Sequence, residues 1–258
     1  MSLNSEQLIN ILNQCKRLVK KQGQYILRSW HKIGKISYKN LRDVVTNVDI
    51  EVENNLRLGL HKLLPQAGFI VEEGKTEIKS PYNWVIDPID GTKNYVSQMP
   101  MFMTQIALLK NEEPILGIIY NPVSDQLFSA SKNHGTYLNG QKCFIKKTVS
   151  PESAIINIDF GEDDKTTDWR LSVILKLIKI FYRVRISGGI FTAYLATGGF
   201  DAYIVSTKTI KKVDFLPNVI ISQEAGYKIE YVNSSINQKF LIISHPSIFS
   251  KIKLILLT

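Results

Sequence analysis

The chain has 258 residues, with 32 Lys and Arg against 23 Asp and Glu, for a formal charge of +9. A hydrophobic content of 44% excludes wholesale disorder, and no charge-free apolar run approaches the ~20 residues of a membrane-spanning helix. Cys15 and Cys143 are far apart and outside any CxxC pattern, which argues against a disulfide framework or thiolate zinc site. A soluble, unexported, cytoplasmic protein without a membrane role is expected. The basic excess alone fits nucleic acid, anionic lipid or a small anionic substrate equally.

From Ser5 to Trp30 apolar residues recur at Leu8, Leu12, Cys15, Val19, Ile26 and Trp30, the rhythm of one helix face. Lys16, Arg17, Lys20 and Lys21 fall on its polar side, first as a solvated face and second as a nucleic-acid contact. A polar loop with Gly34, Lys35, Lys39 and Arg42 is expected next. Thr46-Asn-Val-Asp49 has the capping-box form and predicts a second helix through Ile50, Leu56, Leu60 and Leu64. After Pro65 short apolar runs are separated by hairpin-scale connections, such as Lys110 to Pro114 and Asn121 to Asp125, predicting a largely antiparallel sheet. Beyond Ser150 strands at 154–160, 183–186 and 201–205 alternate with helices at 168–181, 187–197 and 214–225, and two strands and a helix close the chain. This pattern predicts one structure with two packed α/β halves, 1–149 and 150–258.

The stretch richest in chemistry is Trp84-Val-Ile-Asp87-Pro-Ile-Asp90-Gly-Thr92. An apolar strand delivers Asp87 at its end, Pro88 fixes the backbone, and Gly91 permits a tight turn before a helix. Clustered carboxylates with the Ile89 carbonyl between them suit Mg²⁺, a hard cation that prefers oxygen. The Gly91 and Thr92 amides would face an anion if they open a helix. Alone, the segment also reads as an ordinary surface turn. Asp49 also reads as a helix cap, Glu72-Glu73 as a solvated strand end, and Asp214 as an N-cap.

Together these segments resemble the inositol monophosphatase family of Mg²⁺-dependent, lithium-sensitive phosphatases. The matching residues are Asp43-Val-Val-Thr46-Asn-Val-Asp49, Phe69-Ile-Val-Glu72-Glu73, the block from Trp84 to Thr92, and Asp214 with Glu224-Ala-Gly226. Gly117 to Pro122, Gly135 to Gly140 and Ala196 to Ala202 extend the match along nearly the whole chain. The resemblance implies a layered α/β/α/β/α sandwich with its metal site between the halves, and a homodimer. It implies that Glu72, Asp87, Asp90, Asp214 and the Ile89 carbonyl hold two or three Mg²⁺. Thr92 and Glu72 would orient the attacking water, with Asp49 accepting from Thr92. Gly91, Thr92 and Lys93 would bind phosphate, and Ser187 and Gly188 would meet the leaving group.

No covalent nucleophile is visible. His31, His61, His134 and His245 are scattered, and no Gly-x-Ser-x-Gly elbow or complete nucleotide-binding fingerprint appears. The chain departs from the family at the substrate wall. The segment before Asp214 is about two residues longer than the family pattern implies, Val205 stands where a hydroxyl-binding Glu falls, and Val213, Phe215 and Ile186 replace other residues. Lys93 fits the related bisphosphate nucleotidases, while Asn94-Tyr95 fits the inositol branch. The expected activity is therefore hydrolysis of a small polyol or sugar phosphate, ahead of a bisphosphate nucleotide or histidinol phosphate. A non-catalytic RNA-binding protein on the same scaffold is possible but not favoured, since no recognisable RNA-binding motif accompanies the charge.

Overall fold

The computed structural model describes residues 3–32, 34–40, 43–161 and 164–258, with the side chains of 38–40, 43 and 164 left aside. Arg42 and the side chains of Lys39 and Asp43 thus lie outside the described residues. Helix α1 (Ser5–Trp30) spans the predicted residues, with Asn4 as its N-cap. The polar loop expected next is instead partly an antiparallel pair, β1 (Ile36–Asn40) and β2 (Asp43–Thr46). Backbone pairing across the hairpin forms these strands, which are too short and polar to show a sustained apolar alternation. Helix α2 (Asn47–Leu63) starts from the Thr46 capping box.

A seven-stranded sheet follows in simple chain order: β3 (Gly68–Val71), β4 (Tyr82–Asp90), β5 (Met103–Lys110), β6 (Glu113–Asn121), β7 (Gln126–Ser131), β8 (Thr136–Leu138) and β9 (Gln141–Cys143). Among the described residues of this sheet, only β3 and β4 pair in parallel. Between β4 and β5 the short helix α3 (Thr92–Val96) turns the chain. A second sheet has the order β11-β10-β12-β14-β13. Its strands are β10 (Ile155–Asp159), β11 (Arg183–Ile186), β12 (Ala202–Ser206), β13 (Lys228–Asn233) and β14 (Lys239–Ser244), interleaved with α4 (Thr167–Ile180), α5 (Lys212–Ala225) and the closing α6 (Pro246–Leu257).

Three apolar cores define five layers. Helices α1 and α2 pack Leu12, Val19, Val52 and Leu56 onto Trp84, Ile86 and Ile106 of the first sheet. The opposite face of that sheet, through Val85, Ala107 and Ile119, meets α5 and, beyond it, Tyr203, Val205 and Leu241 of the second sheet. Helices α4 and α6 cover the far face of the second sheet. This is the expected α/β/α/β/α sandwich. Burial on both faces explains why β4 is an almost continuous buried run rather than an alternating one.

Two predicted elements change. Residues 187–197 form a tight 3₁₀ segment (Gly189–Thr197), bounded by glycines at positive φ, Gly188 at +67° and Gly198 at +72°. Helix α5 begins at Lys212, so Asp214 is its third residue and not its N-cap, and Pro217 stands in the interior. There Pro217 forfeits a bond to the Val213 carbonyl instead of using the donor-free first turn. Helix α5 also approaches β6 so closely that a Cβ on Gly117 would sit 2.5 Å from the Pro217 carbonyl oxygen. Among the described residues, no helix is long and apolar enough to cross a membrane.

Candidate active site

The site grows from the end of β4. That strand runs on to Asp90, so Asp87 lies within it, and its register against β5 shifts between Asp87 and Asp90. The irregularity is pinned from β5: Thr104 Oγ1 donates to the Pro88 carbonyl at 2.9 Å, and Gln105 Nε2 donates to Asp90 Oδ2 at 2.5 Å. Gly91 then takes φ +87°, and a Cβ there would collide with Ile190 at 2.6 Å and the Met101 carbonyl at 2.9 Å. Only glycine lets the turn close against the second half.

Glu72 follows β3, beside β4 in the sheet. Buried Glu53 of α2 fixes this strand end by accepting the Glu73 and Gly74 amides, both at 2.8 Å. Asp214 enters from the first turn of α5, and its Oδ2 accepts the Lys211 amide at 3.2 Å. One oxygen each from Glu72, Asp87 and Asp214 lies within 4.8 Å of the others. Asp90 is not part of that trio but lines the same cavity of about 450 Å³.

Asp49 is fully buried behind this wall and does not line the cavity. Its two oxygens do different work. Oδ2 completes the capping box by accepting the Thr46 amide at 2.8 Å, and Oδ1 accepts from Thr92 Oγ1 at 3.1 Å. The Thr92 hydroxyl also lies 2.9 Å from the Ile89 carbonyl. With one proton, it can donate fully to only one of these acceptors at a time.

The electrostatics reveal what the cluster lacks. Burial, and then the charges of Glu72, Asp90 and Asp214, push the Asp87 carboxyl far above its ordinary range. Asp90 is pushed up by burial and then by Asp214 and Glu72. Asp214 rises to about 7, through burial and then Glu72, with the Lys211 charge opposing. Asp87 Oδ1 is buried without a hydrogen-bond partner among the described residues. An orphaned buried carboxylate oxygen among mutually repelling carboxylates fits a hard divalent cation. Lys211 Nζ lies 3.0 Å from Glu72 Oε1 at the rim and offsets part of the excess.

Every residue that sequence reasoning placed at the metal or substrate lines this one cavity: Glu72, Asp87, Ile89, Asp90, Gly91, Thr92, Lys93, Ser187, Gly188 and Asp214. Asp49 reaches it through Thr92. None of the four histidines is in the lining. Sequence reasoning missed Asp159, a fifth cavity carboxylate at the end of β10, and Asn157 two residues earlier. Buried Asn157 holds the substrate-wall loop, accepting from Ser187 Oγ at 2.8 Å and donating to the Gly188 carbonyl at 3.1 Å. Glu53 was missed as well. Its only local sign was a charged residue on the apolar side of α2.

A carboxylate cluster at the junction of two sheets, with a buried aspartate supporting a threonine hydroxyl, is the kind of site that hydrolyses phosphate esters with divalent cations. The model of the inositol monophosphatase family matches residues 7–253. The fructose-1,6-bisphosphatase/inositol-1-monophosphatase of Thermotoga maritima is 29% identical over 213 residues, covering 81% of this chain and 80% of that protein. The inositol-1-monophosphatase of Bacillus subtilis is 32% identical over 219 residues, covering 82% and 81%. In fold, the extragenic suppressor protein suhB from Bartonella henselae superposes with a TM-score of 0.86 at 24% identity, over 96% of this chain and 98% of that one. The chain belongs to the inositol monophosphatase family, and with it to the phosphoric monoester hydrolases.

Proposed function

We propose that the protein hydrolyses a small polyol or sugar phosphate with Mg²⁺, using water as the nucleophile. The observation that carries this reading is the convergence of Glu72, Asp87 and Asp214 beside the Thr92–Asp49 hydrogen bond. Glu72, Asp87, Asp90, Asp214 and the Ile89 carbonyl are the ligands we assign to two or three ions. When bound, such ions neutralise the phosphate and make a coordinated water more nucleophilic.

The remaining steps belong to the chain's own groups. Asp49 fixes the Thr92 hydroxyl from behind, so that its lone pairs are directed at the water position rather than freely rotating. Glu72, with Thr92, orients that water. The Gly91 and Thr92 amides, with Lys93, hold the phosphate oxygens. Ser187 and Gly188, held by Asn157, meet the departing alcohol.

The family resemblance further supports a lithium-sensitive cytoplasmic homodimer, in which 1–149 carries most metal ligands and 150–258 carries Asp214 and the substrate wall. A panel of inositol 1-phosphate, sugar phosphates, a 3′,5′-bisphosphate nucleotide and histidinol phosphate, with Mg²⁺ or EDTA, tests the activity. Mg²⁺-dependent release of phosphate from a polyol or sugar ester is expected. Absence of turnover together with RNA binding that persists in EDTA would replace this reading with the binding one.

A further inference from the structure

The cavity has two unlike walls. One carries Glu72, Asp87, Ile89, Asp90, Gly91, Thr92 and Lys93 from the first half, on the side assigned to the phosphate. The alcohol then faces the second wall, formed by Asp159, Ser187, Gly188, Gly189 and Ile190. Among the described residues, Asp159 is the only ionisable side chain on that wall apart from Asp214 of the cluster.

The surroundings of Asp159 leave one oxygen available. Its Oδ1 accepts the Gly161 amide at 3.1 Å. Its Oδ2 lies 3.5 Å from where a Cβ on Gly188 would stand, and accepts no hydrogen bond among the described residues. The missing side chain at Gly188 therefore opens the cavity to this oxygen. Asn157 already engages Ser187 and the Gly188 carbonyl.

Among the described residues no basic side chain lines this wall itself. Arg170 lines a neighbouring cavity with Asp159, and its Nη1 donates to the Gly161 carbonyl at 2.9 Å, holding the segment whose amide bonds Asp159 Oδ1. Lys211 is engaged across the site by Glu72. A second, independent sign lies beneath Gly189. The Tyr203 hydroxyl is fully buried, has no hydrogen-bond partner among the described residues, and feels the charges of Asp159, Asp90 and Asp214. Its built-in distance to a Cβ on Gly189 would be 3.8 Å. The wall thus presents the Asp159 oxygen as an acceptor above a polar floor, and no cation lines it among the described residues.

We propose that Asp159 is a specificity-determining residue that favours a phosphate monoester whose alcohol carries a protonated amine. The inference rests on the phosphomonoesterase reading and narrows its substrate class. A carboxylate near a dianionic ester repels the substrate as a whole, and water hydrates it as well as a neutral hydroxyl does. An ammonium group reverses the repulsion and also supplies a charge-assisted hydrogen bond. The same carboxylate disfavours a leaving group with a second phosphate.

The test uses esters matched in size: 2-aminoethyl phosphate against 2-hydroxyethyl phosphate, assayed with Mg²⁺ for the full chain and for Asp159→Asn. The Asn variant keeps an oxygen for the Gly161 amide. The native protein should favour the amine about tenfold or more in kcat/KM, as for a hydrogen bond between charged groups. In Asp159→Asn the ratio should fall toward one, through KM. Calorimetry with 3-aminopropylphosphonate and 3-hydroxypropylphosphonate, which cannot be hydrolysed, should show the same preference without turnover. Equal handling of the pair by the native protein, or a ratio unchanged in Asp159→Asn, overturns the inference while leaving the phosphatase reading intact. Failure to hydrolyse either ester or inositol 1-phosphate, with no phosphonate binding, overturns both.

Discussion

The wall that holds the phosphate and the wall that meets the alcohol are built by different means. The first is local: Asp87, Ile89, Asp90, Gly91 and Thr92 follow one another along the end of β4, and the bonds from Thr104 and Gln105 lock their shape. The second is assembled from separate segments, Asp159 at the end of β10, residues 187–190, and the first turn of α5. Chemistry is therefore encoded in a contiguous motif, and specificity in the order in which strands are laid side by side. The first cannot drift without breaking a short run of residues, whereas the second can be altered one segment at a time.

The largest effect should come from the local wall. Asp87→Asn removes a fully buried carboxylate of the converging trio, and turnover at saturating Mg²⁺ should fall by a factor on the order of a thousand or more. The same variant should melt no lower than the native protein in EDTA, because it also removes a repelling charge. A variant with near-native turnover would break the contrast at its root. Next, Thr92→Val keeps the shape but deletes the hydroxyl held by Asp49, and kcat should drop about a hundredfold with KM changing little.

The alcohol-side wall should respond more mildly. Asn157→Ala removes the support of Ser187 and Gly188, and should raise KM severalfold while kcat is nearly kept. Loss of these buried bonds should cost about 2 kcal/mol in chemical denaturation. If kcat collapsed instead, the division of labour between the walls would be false.

The smallest effect is a pH dependence of the cation-free protein. The Asp214 carboxyl is raised from 3.8 to about 7 on folding, so the folded state binds more protons between those values. Its stabilising contribution is complete below about pH 4 and is lost as the pH rises through 7. The melting temperature in EDTA should therefore be lower at pH 7.5 than at pH 5.5, and Mg²⁺ should raise it more at pH 7.5. Equal shifts at both pH values would separate Asp214 from the cation.

What was legible in the sequence follows the same division. The capping box at Thr46 and Asp49, the α1 face and the β4 motif depend on neighbours a few residues apart, and the structure forms them where expected. Local reading could not tell whether Asp49 serves the cap or the site, and the structure gives one oxygen to each partner. It failed at β1 and β2, whose pairing spans a turn, and at α5, which starts two residues before Asp214. Asp159 and Asn157 carried no signal, because nothing near them in the chain shows that β10 lies between β11 and β12. Val205, where a carboxylate was missed in the sequence, is the register partner of Asp159 on the adjacent strand.

The placement of Asp214 has a mechanical side. Asp87 lies in the first sheet and Glu72 follows directly on its strand β3, while Asp214 is borne by a helix packed between both sheets. A cation shared by these carboxylates closes a loop of roughly 130 residues without a covalent link, and long loops gain most from closure. The ion is then a removable rivet through the middle layer of the sandwich. Loading it should slow amide exchange in the second sheet, well beyond the reach of its own ligands.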